Sequence, residues 1–226
     1  TRPLGHSDLQ VSRVGLGCNN FGREDTPTAS AAGSAEVLHA ALDSGVTFWD
    51  TAELYGAEFG LSESLMGPVV AARRPEIVLA SKFGHAEFES PHASEGAPGS
   101  RGYIRAAIDA SLNRLQTDYL DLYQHHTPDP STAIEETLEA LSELVDEGRV
   151  RHIGHTQYTA EQIRAADAAA DRLGLTRFTS AQDQLNLLER ASEHEIVPVA
   201  RELGLGFLPF FPLYNGLFTG KFDRNG

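Results

Sequence analysis

The chain of 226 residues has little of what would cross-link it, metallate it or hold it in a bilayer. Cys18 is its only cysteine. That excludes an intrachain disulfide and a structural zinc site built from several thiolates, and no metal is expected. Basic residues are scarce: 18 Lys and Arg stand against 32 Asp and Glu, a formal net charge of −14. Such acidity argues against nucleic acid and anionic membrane as partners, although a small site can still be locally positive. No apolar run approaches membrane-spanning length, and Thr1-Arg2-Pro3-Leu4-Gly5 does not read as a signal peptide. A reducing, cytoplasmic setting is the expectation. Oligomeric state leaves no trace. A Rossmann-type Gly-x-Gly-x-x-Gly turn is also missing, because Gly15, Gly17 and Gly22 have the wrong spacing.

What is present is ordinary for a soluble globular chain: 41% hydrophobic and 22% charged residues, read as a single domain over 1–226. Short apolar, β-rich segments alternate with amphipathic ones. Candidate strands are 14–18, 46–51, 77–83, 119–126, 150–157, 179–186 and 206–212, with starts 27 to 42 residues apart. That is the length of a βα unit and implies a parallel sheet. Residues 1–13 read as a hairpin turning at His6, Ser7 and Asp8. The expected fold is α/β, a (β/α)8 TIM barrel with an N-terminal β-hairpin. Seven strands are visible and the last βα portion is expected to be missing, since eight units take about 250 residues.

Helical spacing is clear at Ile104, Ile108, Leu112 and Leu115, and again at Ile134, Leu138, Leu141 and Val145. Capping-box spacing is found at Thr132/Glu135, Thr159/Gln162 and Ser192/Glu195, with stops at Gly148 and Gly174. Pro198 conflicts with the third of these and predicts a later start or a kink. The widest gap, 84–100, follows the third strand of the barrel. It reads as a lid, a substrate loop or a disordered insertion.

Asp50, Tyr55, Lys82 and His126 carry the chemistry. Each stands near the end of a strand, and in a barrel such ends converge on one mouth. Side chains alternate along a strand, so Phe48 and Asp50 share a face, as do Val78, Ala80 and Lys82, and Leu122, Gln124 and His126. A phenol beside an ammonium and an imidazole is a proton donor for a carbonyl oxygen, which points to carbonyl reduction. Free tyrosine titrates near ~10, and Lys82 is expected to lower that value. An inward lysine needs an anion, for which Asp50 is available. His125, on the opposite face, reads as a packing or loop-contacting residue.

The motifs around these residues are Gly15-Leu16-Gly17, with Gly-Leu-Gly-Cys-Asn-Asn-Phe-Gly over 15–22, and Asp50-Thr51-Ala52-Glu53-Leu54-Tyr55-Gly56. They continue with Ala80-Ser81-Lys82-Phe83-Gly84, Asp121 to Asp129, and Pro209 to Lys221. In this order and spacing the chain, from about residue 10 to 222, resembles the aldo-keto reductases, the bacterial type most of all. The resemblance implies hydride transfer from a nicotinamide, NADP(H) most often and NAD(H) less so, to a small-molecule aldehyde or ketone. It implies Tyr55 as general acid, Lys82 stabilising the phenolate, Asp50 pairing with Lys82, and His126 orienting the carbonyl.

The cofactor positions implied by the resemblance are Gly17, Cys18, Asn19, Thr156, Gln157, Gln182, Phe210, Phe211, Leu213, Asn215, Gly216 and Lys221. Thr156 stands where the family has serine and Phe210 where it most often has tyrosine, and three further departures lie at or beside these positions. Gln157 stands where the family has asparagine, and Tyr214 and Asn215 where small residues are usual. Those departures motivate an alternative: a nucleotide-sensing, weakly catalytic binding subunit of the same fold. An inactive fragment is a third reading.

Overall fold

A computed structural model describes residues 1–221, and Phe222 to Gly226, the last residues of the sequence, lie outside them. A two-stranded antiparallel hairpin comes first, β1 (Arg2–Pro3) and β2 (Gln10–Val11). Seven parallel strands follow: β3 (Gly15–Gly17), β4 (Phe48–Asp50), β5 (Val78–Phe83), β6 (Leu120–His125), β7 (Val150–Thr156), β8 (Ser180–Gln184) and β9 (Gly206–Phe210). Each pairs with the next in chain order. The connecting helices are α1 (Ala31–Asp43), α2 (Leu61–Arg73), α3 (Arg101–Leu115), α4 (Ile134–Asp146), α5 (Ala160–Leu173) and α6 (Ala191–Leu203). This is the (β/α)8 barrel arrangement, with seven barrel strands among the described residues. There β3 and β9 each pair on one side only.

Most strands run one or two residues shorter than the sequence predicts. The last stops at Phe210 because Phe211 takes φ +50°, which no strand accommodates. The capping box at Thr159/Gln162 forms in full. The one at Thr132/Glu135 does not: Thr132 Oγ1 donates to Asp129 Oδ2 at 2.6 Å, and α4 starts after Ala133 without a side-chain cap. At α6 Ser192 is inside the helix, its hydroxyl donating to the Gln184 carbonyl at 2.8 Å, and Arg190 is the N-cap residue. Pro198 lies within α6, which neither starts later nor breaks there.

Alternation along the strands makes two cores. The outer one packs Trp49, Leu79, Phe83, Tyr123, Ile153 and Ala181 against helical residues such as Leu38, Met66, Ile104, Leu141, Ile163 and Val199. The inner one joins Phe48, Ala80 and Leu122 to Leu4, Leu9 and Val11 of the hairpin. The hairpin is pinned by the His6 N–H donating to the Gly204 carbonyl at 2.8 Å. Apolar side chains thus fill the lower barrel, and the polar ones on the same faces are left for the upper end.

Candidate active site

The parallel register sets Gly17, Asp50, Ala80 and Leu122 level with one another, and Lys82 level with Gln124 and Gly154 one pleat higher. Gly154 is what lets these side chains meet. A Cβ there would lie 2.3 Å from Ser180 Oγ and 3.2 Å from Gln124 Cγ.

Lys82 is fully buried, and its Nζ donates to Asp50 Oδ2 at 2.6 Å, the Thr51 carbonyl at 2.9 Å and the Tyr55 hydroxyl at 3.2 Å. Asp50 Oδ1 accepts from Gln124 Nε2 at 3.0 Å and Gln182 Nε2 at 3.4 Å. The His126 ring meets the Tyr55 ring edge-on, with centroids 5.8 Å apart. The four residues expected to carry the chemistry therefore share one mouth.

Burial opposes charge on Lys82, but Asp50 and Tyr55 outweigh it and leave the ammonium above its ordinary pKa. For Tyr55 the balance falls the other way from the sequence expectation. Burial raises the hydroxyl more than Lys82 lowers it, and the net shift is upward. Burial holds His126 well below the usual histidine value, with Lys82, His85 and His125 adding to it, so its ring is neutral near pH 7. His125 points into the outer core, stacked on Phe83 and bonded through Nδ1 to the Tyr158 hydroxyl at 2.7 Å.

The expected cofactor positions divide. A side chain at Gly17 would meet nothing within 4 Å, so the end of β3 leaves open space beside Asp50. Asn19 is half-buried in the turn after β3. Cys18 is fully buried in the outer core, with its thiol pushed up by burial, and presents no side chain to the mouth. Thr156 Oγ1 donates to the His126 carbonyl, and Gln157, at φ +59°, sends its amide to that same carbonyl at 3.4 Å. Phe210 is half-buried and meets the exposed Phe211 edge-on at 5.2 Å. Leu213, Asn215, Gly216 and Lys221 lie in the turns after β9. Among the described residues no hydrogen bond joins them to Asp50 or Lys82.

The Aldo/keto reductase family model matches residues 13–226. The chain belongs to the aldo/keto reductase family. It is 38% identical over 221 residues to "Probable aldo-keto reductase 1" of Glycine max, covering 96% of this chain and 60% of that protein. It is also 38% identical over 227 residues to "Uncharacterized oxidoreductase YrpG" of Bacillus subtilis (strain 168), covering 96% of this chain and 68% of that one. The chain thus spans 60% to 68% of the length of these relatives.

Members of the family generally work with a nicotinamide cofactor. The open space at Gly17, the amides of Gln157 and Gln182 and the half-buried ring of Phe210 are compatible with one here. Among the described residues no cluster of His, Cys, Asp and Glu could hold a metal ion, and no helix is long and apolar enough to cross a membrane. Sequence reasoning did not single out three residues around the mouth: Gln124, which orients Asp50; Glu53, which holds Gly84; and His85, whose ring lies edge-on to His126 at 4.8 Å. Only Gln124 left a signal, its alternation with Leu122 and His126.

Proposed function

We propose that this chain carries the chemical centre of an NADPH-dependent reductase that converts an aldehyde or ketone to the alcohol by hydride transfer, with Tyr55 as general acid. One observation carries the proposal: the Lys82 ammonium reaches both Asp50 Oδ2 at 2.6 Å and the Tyr55 hydroxyl at 3.2 Å in a single mouth. The nicotinamide, when bound, supplies the hydride.

The chain's own residues handle the proton and the developing charge. Tyr55, its pKa raised, keeps its proton at neutral pH and releases it only as negative charge grows on the carbonyl oxygen. Lys82 then stabilises the phenolate, and Asp50, oriented by Gln124 and Gln182, keeps the buried ammonium charged. His126 Nδ1 is buried without a hydrogen-bond partner. An unpartnered acceptor costs less than an unpartnered N–H, so the ring proton belongs on Nε2, as a second donor to the carbonyl oxygen. Gly17, Asn19, Thr156, Gln157, Gln182 and Phe210 would hold the nicotinamide end of the cofactor. The turns at Phe211 to Lys221 would face its phosphates.

The test is Tyr55→Phe in the whole protein, with NADPH oxidation followed in the presence of an aldehyde. Turnover should fall by about 10² to 10⁴, the usual contribution of a general acid. NADPH binding, read by fluorescence, should be nearly unchanged. Equal turnover in the variant removes the mechanism. The amide of Gln157, engaged with the His126 carbonyl at 3.4 Å, favours one other reading, a nucleotide-sensing subunit that turns over slowly. Single-turnover decay of bound NADPH with excess aldehyde separates the two, since fast decay excludes the sensor.

A further inference from the structure

Glu53 sits in the same turn as Tyr55, three residues after Asp50, but its carboxylate does not join the Asp50–Lys82 network. It is 1% exposed, and its Oε1 accepts from the Gly84 N–H at 2.7 Å and from the Tyr103 hydroxyl at 2.7 Å. Tyr103 also lies 2.7 Å from Ser90 Oγ. A phenol has one proton and a carboxylate oxygen only accepts, so Tyr103 donates to Glu53 and Ser90 donates to Tyr103. The Glu53 backbone N–H reaches the Lys82 carbonyl at 3.0 Å.

Glu53 is thus linked directly to one end of the segment 84–90, at Gly84, and through the Tyr103 hydroxyl to the other, at Ser90. Between those ends, the Ala86 N–H donates to Thr127 Oγ1 at 2.8 Å. The His85 ring lies edge-on to His126, with Phe88 on its outer side at 4.7 Å. The segment forms one wall beside His126.

We propose that Glu53 is a positioning residue, which through one buried carboxylate oxygen sets the 84–90 wall at a fixed distance from the turn that carries Tyr55. Three features support this. Hydrogen bonds to a carboxylate in dry surroundings are about twice as strong as neutral ones. The second oxygen, Oε2, is buried without a partner, so every hydrogen bond this side chain makes to the wall runs through Oε1, and burial pushes the carboxyl pKa up to about 7. The charged and titratable groups around it do not compete for Oε1: Glu63 is taken up by Arg114 at 2.7 Å, and the Tyr123 hydroxyl is buried without a partner. The effect on the loop stands by itself, whereas the kinetic consequence rests on the reductase reading.

The experiment compares Tyr103→Phe, Glu53→Leu and Glu53→Gln in the whole protein. Amide hydrogen exchange over 84–92 is read by mass spectrometry, and kcat and KM for an aldehyde are read with NADPH. Tyr103→Phe and Glu53→Leu should speed exchange at 84–90 by roughly 10-fold relative to the rest of the chain, the usual net effect of losing a charge-assisted bond. They should also raise KM more than they lower kcat. Glu53→Gln, which keeps the accepting oxygen, should stay close to the wild type in both. Unchanged exchange in a folded Tyr103→Phe protein overturns the proposal even where Glu53→Leu does not fold. A wild type without aldehyde turnover refutes the reductase reading instead, and the exchange result still decides the role of Glu53.

Discussion

A buried ammonium in apolar surroundings would give up its proton, and Lys82 keeps it because three oxygens converge on Nζ. The same accounting, applied to Glu53, gives the opposite sign. Its carboxyl has only neutral donors on Oε1 and a bare Oε2, so desolvation dominates and its pKa rises from 4.5 to about 7. The folded state then holds the proton more tightly than the unfolded one. The stability contributed by Glu53 is full below pH 4.5 and is lost as pH rises through 7. By linkage the loss amounts to ~3 kcal/mol. Urea unfolding of the wild type and Glu53→Gln at a series of pH values should show the variant gaining about that much, relative to wild type, between pH 4.5 and pH 8. A constant difference across that range rules the reasoning out. Residue identities made Asp50, Tyr55, Lys82 and His126 legible in the sequence. The upward shift at Tyr55 was not legible, because it depends on how much water the fold removes from the ring.

Elements were legible where their signals were local. Strands β3 to β9 and the periodic helices α3 and α4 all lie near their expected positions. The Thr159/Gln162 capping box is as expected because both of its partners are in the same turn. Thr132 and Ser192 failed as caps because each hydroxyl found another acceptor, Asp129 Oδ2 and the Gln184 carbonyl. Pro198 is tolerated because α6 is held by its buried face, Ile196, Val199 and Ala200, rather than by one backbone bond. No stripe is named from the sequence for α1 or α2, and at Gly67 of α2 a close contact sets the residue. A Cβ there would lie 2.3 Å from the Arg114 carbonyl, so closeness to the end of α3 constrains the position more than periodicity does. The β7–β8 pair offers a test of the same kind. Gly154→Ala drives a methyl into Ser180 and Gln124 and should cost about 1–3 kcal/mol, lowering Tm by several degrees. Adding Ser180→Gly should recover part of the loss, since the nearest clash is with that hydroxyl. Thermal scans of the two variants check it, and a Gly154→Ala protein as stable as wild type would contradict the contact.

At the scale of the molecule, two cores divide the charge between them. The inner one opens onto the polar mouth, whereas the outer one encloses His125 and His155, held neutral by burial with values of about 4 and about 3. His155 packs on Tyr158 and Phe178 with both ring nitrogens unpartnered, and His125 faces Tyr158 and the more distant Asp129. Their folded values lie below the ordinary 6.5, so the unfolded chain binds more protons. Stability is full above pH 6.5 and is lost as pH falls toward 3, by several kcal/mol in all. His155→Leu should flatten that loss and move the acid unfolding midpoint to lower pH, as read by circular dichroism. An unmoved midpoint would place the acid sensitivity elsewhere.

The order of βα units, the parallel sheet and the choice of Asp50, Tyr55, Lys82 and His126 as candidates that meet at one mouth were legible in the sequence alone. Each rests on patterns within one segment: strand alternation, helical spacing, and an acid or base at a strand end. Only the tertiary structure decided the rest: which face Cys18 takes, that Gln124 and Gln182 brace Asp50, that Glu53 fastens the 84–90 segment, and which way Tyr55 titrates. Those depend on partners 27 to 132 residues apart and on the exclusion of water between them, and no local pattern encodes either.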